Sequence, residues 1–197
     1  MSGALDGKVV AVVGASGCRG AAVARALARE GASLVLGARS RQALEELQRE
    51  LEGSGASVLV VGTDVTRQRQ LERMVEIALE SFGSLDALVY AARARPDSLE
   101  SLDVRSWGES VDVNVRGFLY AAGAALPAML ERGGGHIVDL AANSGDGALE
   151  WAARSARRNF REGLQAEISG RDVSVSEVGP GPDSAKQVCW LLSSTGG

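Results

Sequence analysis

Residues 9–20, VVAVVGASGCRG, decide the fold of this chain. The apolar run Val9–Val13 predicts a buried parallel strand, and the apolar residues of Gly20–Glu30 recur at helical spacing. Between them, glycines fall where a strand passes into a helix. Glycines at this place let the backbone approach a phosphate group, which the N–H groups at the start of the helix then bind. A tight turn without a ligand is the alternative interpretation of the same glycines.

The alternation of strand and helix continues along the chain. Apolar runs of strand length predict further strands at 34–36, 58–61, 85–91, 136–141 and 173–178, and helical spacing predicts helices at 41–51, 71–79, 104–130, 151–168 and 185–192. Pro127 is expected to bend the last turns of the long helix. Short connections between alternating elements imply right-handed crossovers and a parallel sheet. We therefore predict one α/β domain over residues 1–197, a doubly wound parallel sheet of about six strands with helices on both faces.

Composition excludes several classes of function. The net charge of −4 gives no reason to expect nucleic acid or an anionic membrane as a partner. The sequence has no apolar run of about twenty residues, so no membrane span is expected. Cys18 and Cys189 form neither a disulfide framework nor a metal-ligand spacing, and no metal is predicted. The opening residues, MSGALDGKVV, lack the pattern of a secretory signal, so a cytoplasmic location is expected.

The end of the second strand indicates which nucleotide the chain prefers. In dinucleotide-binding proteins a carboxylate at this point accepts the ribose hydroxyls of NAD, whereas an arginine pairs with the extra phosphate of NADP. Here residues 36–40 read LGARS, with Arg39 and no acid. A charge-assisted bond of about 1.5–3 kcal/mol predicts a preference for NADP of about ten- to a hundredfold. Arg19 or Arg41 could assist, and a solvent-facing Arg39 is the alternative.

Residues 5–36, LDGKVVAVVGASGCRGAAVARALAREGASLVL, resemble the opening of the short-chain dehydrogenase/reductase family, which has a Rossmann-type fold. The commonest form of the family's motif has a glycine where Cys18 stands, while the three glycines match the spacing of its extended members. The Cys18 side chain is expected to crowd the phosphates, and its place near a helix N-terminus favours a reactive thiol, with a small filler as the alternative. The resemblance implies an NADP(H) site formed by Gly14, Ser16, Gly17, Cys18, Arg19, Gly20, Arg39, Asp64, Val65, Ala91, Pro180 and Gly181.

The family's catalytic residues are mostly replaced. Its members use a Tyr-x-x-x-Lys pair, a serine and an asparagine, and VDVNVRGFLYAA (residues 111–122) resembles the motif that carries the asparagine, at Asn114. A buried helix residue bonded to the backbone is the alternative for Asn114. HIVDLAANSG (residues 136–145) places the serine at Ala142, with Ser144 two residues further on.

WAARSARRNFREGLQAEI (residues 151–168) resembles the family's helix YxASKAAxxxFxESLxxEL, and aligning the two places the tyrosine at Trp151 and the lysine at Ser155. Because a positioned general acid contributes about 10²–10⁴ to a rate, conventional carbonyl reduction is not expected. The candidate catalytic residues that remain are Asn114, Ser144, Asp146 and Trp151, and Glu150 joins Asp146 as an acid or base if buried. Loop and helix-start carboxylates favoured by the helix dipole are the alternative for these two acids.

Three functions remain open. The first is an NADP(H)-binding, catalytically silent or regulatory protein, the second a repurposed non-redox catalyst, and the third an NADPH-dependent oxidoreductase with unconventional groups. Besides the dinucleotide, a small-molecule substrate is a candidate partner.

Two further features bear on the surroundings of the site. The family's NNAG after the fourth strand reads YAAR here, so Arg93 replaces a glycine beside the cofactor. Arg154, Arg157, Arg158 and Arg161 share one helical face, which could bind an anion, pair with acids on a partner or face water. Water or an acidic partner surface is favoured over a nucleic-acid site, given the negative net charge. Because relatives pack this helix against its twin, a homodimer or homotetramer through the helices at 104–130 and 151–168 is expected.

Overall fold

Six parallel strands form one sheet in the computed structural model, which describes residues 3–94, 104–141 and 147–194. The strands follow the order β3-β2-β1-β4-β5-β6, and the order in which successive strands are added reverses beside β1. Their bounds are β1 Val9–Val13, β2 Ser33–Ala38, β3 Val58–Gly62, β4 Ala87–Tyr90, β5 Gly135–Leu140 and β6 Val173–Val178. The predicted doubly wound α/β fold with six strands is confirmed. The candidate catalytic residues Ser144 and Asp146, and Ala142, lie outside the described residues.

Helices cover both faces of the sheet. Their bounds are α1 Cys18–Arg29, α2 Arg41–Glu52, α3 Gln68–Phe82, α4 Val104–Val111, α5 Gly117–Arg132, α6 Ala148–Glu167 and α7 Ser184–Ser194. The apolar sides of α1, α2 and α7 pack on one face, and those of α3, α5 and α6 pack on the other. Two apolar clusters separated by the sheet therefore form the core, as the all-apolar strands β1 and β4 require.

The strand order places the functional edge of the sheet. In open parallel sheets, ligands bind beyond the carboxyl ends of the strands where the order reverses, which here is between β1 and β4. Val13, the last residue of β1, pairs with Gly37 of β2 and with Tyr90 of β4. The glycine-rich turn, the segment around Arg39 and the segment after Tyr90 consequently emerge side by side.

The long helical region is irregular before Pro127 rather than at it. Between α4 and α5, Asp112–Arg116 forms a π-helical turn, while Pro127 lies inside α5, which continues to Arg132. The Tyr90 hydroxyl donates a hydrogen bond of 2.5 Å to the Val113 carbonyl within this turn. At Gly117 a Cβ would lie 2.4 Å from that hydroxyl oxygen, so only glycine fits. The turn thus brings the helix against the end of β4.

Among the described residues, Val104–Arg132 is the one helical segment long and apolar enough to cross a membrane by length and composition. One side of α5 is buried against the sheet through Phe118, Ala121, Ala125 and Met129. A core helix of a soluble protein passes the same test, so this composition is weak evidence for a membrane span.

Candidate functional site

A cavity of about 560 Å³ opens at the carboxyl ends of β1, β2, β3 and β4. One end, called the β2 end, contains Arg39, Ser40 and Asp64, and the other, called the β4 end, contains Arg19 and Arg93. The residues that line it are Gly14, Ser16, Gly17, Cys18, Arg19, Gly20, Ala38, Arg39, Ser40, Thr63, Asp64, Val65, Ala91, Ala92, Arg93 and Val113. The structure therefore brings together ten of the twelve residues proposed from sequence for the cofactor.

The glycine-rich turn lies along the middle of this cavity. Gly14 has a φ of 84°, and a Cβ there would lie 2.4 Å from the Ala92 nitrogen. At Gly20 a Cβ would lie 2.3 Å from the Gly14 carbonyl oxygen. Both positions require glycine because the turn packs closely on the segment after β4 and on itself. Gly17 precedes α1, whose first turn has no acidic residue, so the positive end of the helix dipole faces the cavity uncompensated.

The β2 end combines an exposed cation with a fixed carboxylate. Arg39 is exposed, and the Ser40 hydroxyl accepts a hydrogen bond of 3.4 Å from the Ala43 nitrogen at the start of α2. Asp64 accepts hydrogen bonds of 3.0 Å and 2.8 Å from the nitrogen and hydroxyl of Thr66. Burial by itself would raise the pKa of Asp64, but these bonds and the charge of Arg39 hold the pKa below its usual value. A ribose phosphate would therefore meet both charges here.

Arg41 is placed differently from Arg39. Its Nε lies 2.7 Å from Glu45 Oε1, an i,i+4 pair on the exposed side of α2, and it does not line the cavity. The structure thus gives no support to Arg41 as a second cation at the β2 end.

The two cysteines have different surroundings. Cys18 is exposed at the start of α1 and lines the cavity. Cys189 is partly buried on α7, where burial raises the pKa of its thiol to about 11. Because the thiolate is the nucleophilic form, Cys18 is the accessible thiol of the pair.

Asn114 fixes the segment that follows β4. Its Oδ1 accepts a hydrogen bond of 2.9 Å from the Ala94 nitrogen, and its Nδ2 donates to the Ala94 carbonyl at 2.7 Å and to the Ser110 hydroxyl at 3.0 Å. The side chain is fully buried and does not line the cavity. These bonds match the backbone-bonding interpretation of Asn114 and hold Arg93 at the β4 end.

Trp151 is not brought to the site, and this placement corrects the sequence alignment. The Trp151 side chain is 66% exposed and Ser155 is exposed, whereas Glu150, four residues before the half-buried Arg154, is only 4% exposed. In the motif quoted above, the phenylalanine comes ten residues after the tyrosine. Counting back from Phe160 therefore assigns the tyrosine position to Glu150 and the lysine position to Arg154. The earlier alignment was one residue out because similar alanines surround both positions.

Glu150 forms an ion pair with Arg93, which lines the β4 end, although Glu150 itself does not line the cavity. An oxygen of its carboxylate, Oε2, lies 3.4 Å from Arg93 Nη2. The other oxygen, Oε1, is buried and makes no hydrogen bond within the described part of the chain. A buried carboxylate with one unused oxygen is a group able to accept or deliver a proton.

Two of the four arginines on the arginine-rich face of α6 point inward, whereas we expected the whole face to meet water or an acidic partner surface. Arg157 is 1% exposed, and Arg161 is also buried. Arg161 Nη1 donates to Asp139 Oδ2 at 2.5 Å and its Nη2 pairs with Glu177, while Arg157 Nε lies 3.4 Å from the same Asp139 oxygen. The expectation was wrong because carboxylates on β5 and β6 stand beneath this helix. Of the four arginines, Arg158 alone is largely exposed.

Pro180 and Gly181 are the two proposed cofactor residues that the cavity does not include. Both are exposed after β6, beyond β5 and away from the glycine-rich turn. Sequence reasoning in turn omitted Thr63, Ala92 and Val113 as lining residues. No motif signals them, because they reach the cavity through strand register and the π-helical turn. Within residues 3–94, 104–141 and 147–194, no group of three or more His, Cys, Asp or Glu side chains could hold a metal ion.

Comparison with known families gives one match that covers most of the chain. The family model described as short chain dehydrogenase matches residues 8–187. This range contains every residue that lines the cavity.

Curated relatives and solved structures agree with this match. Glycine betaine reductase ATRR of Emericella nidulans is 40% identical over 185 residues, which are 91% of this chain and 15% of that protein. An uncharacterized oxidoreductase of Staphylococcus aureus is 36% identical over 90% of this chain and 78% of its own length. A metagenomic short-chain oxidoreductase in complex with NADP superposes with a TM-score of 0.86 at 27% identity, covering 96% of this chain and 92% of that one. A short-chain dehydrogenase of Burkholderia phymatum in complex with NAD gives a TM-score of 0.82 at 29% identity, covering 93% and 70%.

Proposed function

Because the chain belongs to the short-chain dehydrogenase family, we propose that its cavity binds NADP(H). The observation that carries this proposal is that the glycine-rich turn and Arg39 line one cavity at the carboxyl edge of the sheet. Dinucleotides lie across this edge with one mononucleotide half on each side of the point where the strand order reverses. The adenosine half then occupies the β2 end and the nicotinamide half the β4 end.

The residues that line the cavity fit NADP(H). At Gly14 and Gly20 the backbone leaves no room for a side chain, which is the arrangement that lets a pyrophosphate approach the start of α1. Arg39 supplies a planar cation for the 2′-phosphate, the group that distinguishes NADP from NAD. Bound NADPH would supply a hydride at the β4 end, and bound NADP⁺ would accept one. There, Arg19 and Arg93 line the cavity and Glu150 pairs with Arg93.

We further propose that conventional carbonyl reduction is lost. Glu150 and Arg154 stand where the family motif has its tyrosine and lysine. A guanidinium stays protonated at all ordinary pH values, so Arg154 cannot relay a proton as a lysine does. Arg154 also lies 2.9 Å from Glu177 Oε1, which directs it towards β6. A protein that holds NADP(H) without the usual turnover fits these replacements.

Protection of Cys18 tests the cofactor site without requiring a reaction. At about pH 8, iodoacetamide is expected to alkylate the exposed Cys18 at least about tenfold faster than the partly buried Cys189. Saturating NADPH should slow alkylation of Cys18 severalfold, because the pyrophosphate would cover the start of α1. Peptide mass spectrometry measures both rates in one sample, with Cys189 as the internal control. A Cys18 rate unchanged by NADPH would count against the proposed site.

A second candidate function is an NADPH-dependent oxidoreductase that uses Glu150 in place of the missing tyrosine. The buried carboxylate with one unused oxygen at the β4 end favours it. If this is the activity, Glu150→Gln should lower NADPH consumption with a responsive carbonyl compound by about 10²–10⁴-fold, since a positioned acid contributes that much. Glu162→Gln, at an exposed pair with Arg158, is the control and should leave the rate unchanged. Equal rates for both variants would remove Glu150 from the chemistry.

The assembly and location of the chain remain proposals. Helices α4 and α6 carry the exposed apolar side chains of Val104, Val111 and Trp151. Such side chains suit the expected homodimer or homotetramer through these helices, and a cytoplasmic location is retained as an expectation.

A further inference from the structure

Among the described residues, arginines outnumber carboxylates in the group of charged side chains that extends from the β4 end to α6 and β6. Only Arg19 and Arg93 of this group line the cavity. The group consists of five guanidinium groups and three carboxylates: Arg19, Arg93, Arg154, Arg157 and Arg161 with Asp139, Glu150 and Glu177. Arg154 and Arg161 are paired with Glu177, and Arg93 is paired with Glu150. The excess positive charge therefore lies on Arg19 and Arg157. Asp139 is the one carboxylate of the group left for them, and Arg161 pairs with it too.

Arg157 is buried without the hydrogen bonds that a buried guanidinium normally makes. Its one ion pair, to Asp139, has a separation of 3.4 Å, and Nε, Nη1 and Nη2 make no hydrogen bond within the described residues. Most buried polar atoms in folded proteins have a partner, so an exception of three atoms in one side chain calls for an explanation. A buried cation that shares its one carboxylate partner with a second arginine is only partly compensated, and it raises the electrostatic potential of its surroundings because the interior screens charge poorly.

Arg19 places a positive charge at the wall of the cavity itself. It lines the β4 end, and its Nη2 is buried without a hydrogen-bond partner among the described residues. Burial lowers the pKa of Arg19, the charges of Arg93 and Arg157 lower it further, and Cys18 and Asp139 act in the opposite direction, so Arg157 and its partner Asp139 both act on Arg19. Strand register agrees, because Tyr90, just before the cavity residues Ala91 and Ala92, pairs with Asp139, the partner of Arg157.

We propose that the β4 end binds a compact carboxylate-bearing substrate, contacted by Arg19 and attracted by the buried charge of Arg157. A carboxylate matches the planar donor fork of arginine. The inference rests on the proposed function only in placing this ligand beside the nicotinamide half of the same cavity.

Lactate and its neutral analogue lactamide test the proposal, by ligand-observed NMR titration of the free protein and of the protein with saturating NADPH. Lactate is expected to bind about tenfold or more tightly than lactamide, because a charge-assisted bond replaces a neutral one. Arg19→Leu and Arg157→Met should each weaken lactate binding by about tenfold, at unchanged folding in circular dichroism. Arg158→Gln, on the exposed side of the same helix, should leave lactate binding unchanged.

The variant Arg39→Asp separates the two ends of the cavity. If lactate occupies the β4 end, Arg39→Asp leaves the affinity of the NADPH-free protein for lactate unchanged, because Arg39 lies at the β2 end. If the wild-type protein does not bind NADPH but still binds lactate, the proposed function is wrong and this inference stands. Equal affinity for lactate and lactamide, or loss of lactate binding in Arg39→Asp instead of Arg19→Leu, would overturn it.

Discussion

Replacing Asp139 with asparagine is expected to lower the free energy of unfolding by about 3–5 kcal/mol, the usual cost of removing one partner of a buried ion pair. Asp139 is fully buried at the end of β5, where one of its oxygens meets both Arg157 and Arg161. Without its charge, Arg161 keeps Glu177 while Arg157 retains no ionic partner among the described residues. Urea unfolding at neutral pH, followed by circular dichroism, measures the change.

Two comparisons make this result specific to the buried charge. Glu162→Gln removes the acid of an exposed i,i+4 pair with Arg158 and should cost less than about 0.5 kcal/mol. Adding Arg157→Met to Asp139→Asn should recover much of the loss, since an apolar side chain of similar length has no charge to compensate. A loss below about 1 kcal/mol for Asp139→Asn would show that Asp139 does not compensate the two arginines.

Arg39→Asp is expected to reverse the choice of nucleotide. The wild-type chain should bind NADPH about ten- to a hundredfold more tightly than NADH, because Arg39 pairs with the 2′-phosphate. In the variant the aspartate repels that phosphate and accepts the ribose hydroxyls of NADH, so the ratio should fall to about one or below. Fluorescence titration with both nucleotides gives the two dissociation constants.

Arg41→Asp is the matched control for charge. Arg41 lies two residues further on, pairs with Glu45 and does not line the cavity, so this variant should change the ratio by less than about threefold. A wild-type ratio near one, or an equal effect of both variants, would show that Arg39 does not select the nucleotide.

The fold and the cavity could be predicted from the sequence because they depend on local patterns. The run Val9–Val13 predicts a buried strand, and glycines at the turn predict a helix start, whatever lies elsewhere in the chain. Strand register then brings Arg39 and Asp64 beside that turn, since parallel strands end at one edge of the sheet.

The β4 end could not be predicted, because it depends on which way a helical face points. Helical spacing shows that Arg157 and Arg161 share a face with Glu150, but an arginine-rich face ordinarily meets water. The partners that turn it inward, Asp139 and Glu177, lie on two strands and are distant in sequence. The one-residue error at Trp151 has a different origin, since similar alanines surround both positions and counting back from Phe160 corrects it.

Fluorescence titration of the folded wild-type protein with NADPH, beside Gly20→Val, tests the cofactor site most directly. The wild type is expected to bind NADPH with saturation. Gly20→Val should lose that binding, because its first side-chain carbon would lie 2.3 Å from the Gly14 carbonyl oxygen. Absence of binding to the folded wild type at millimolar NADPH would contradict the account and leave the cavity with another ligand.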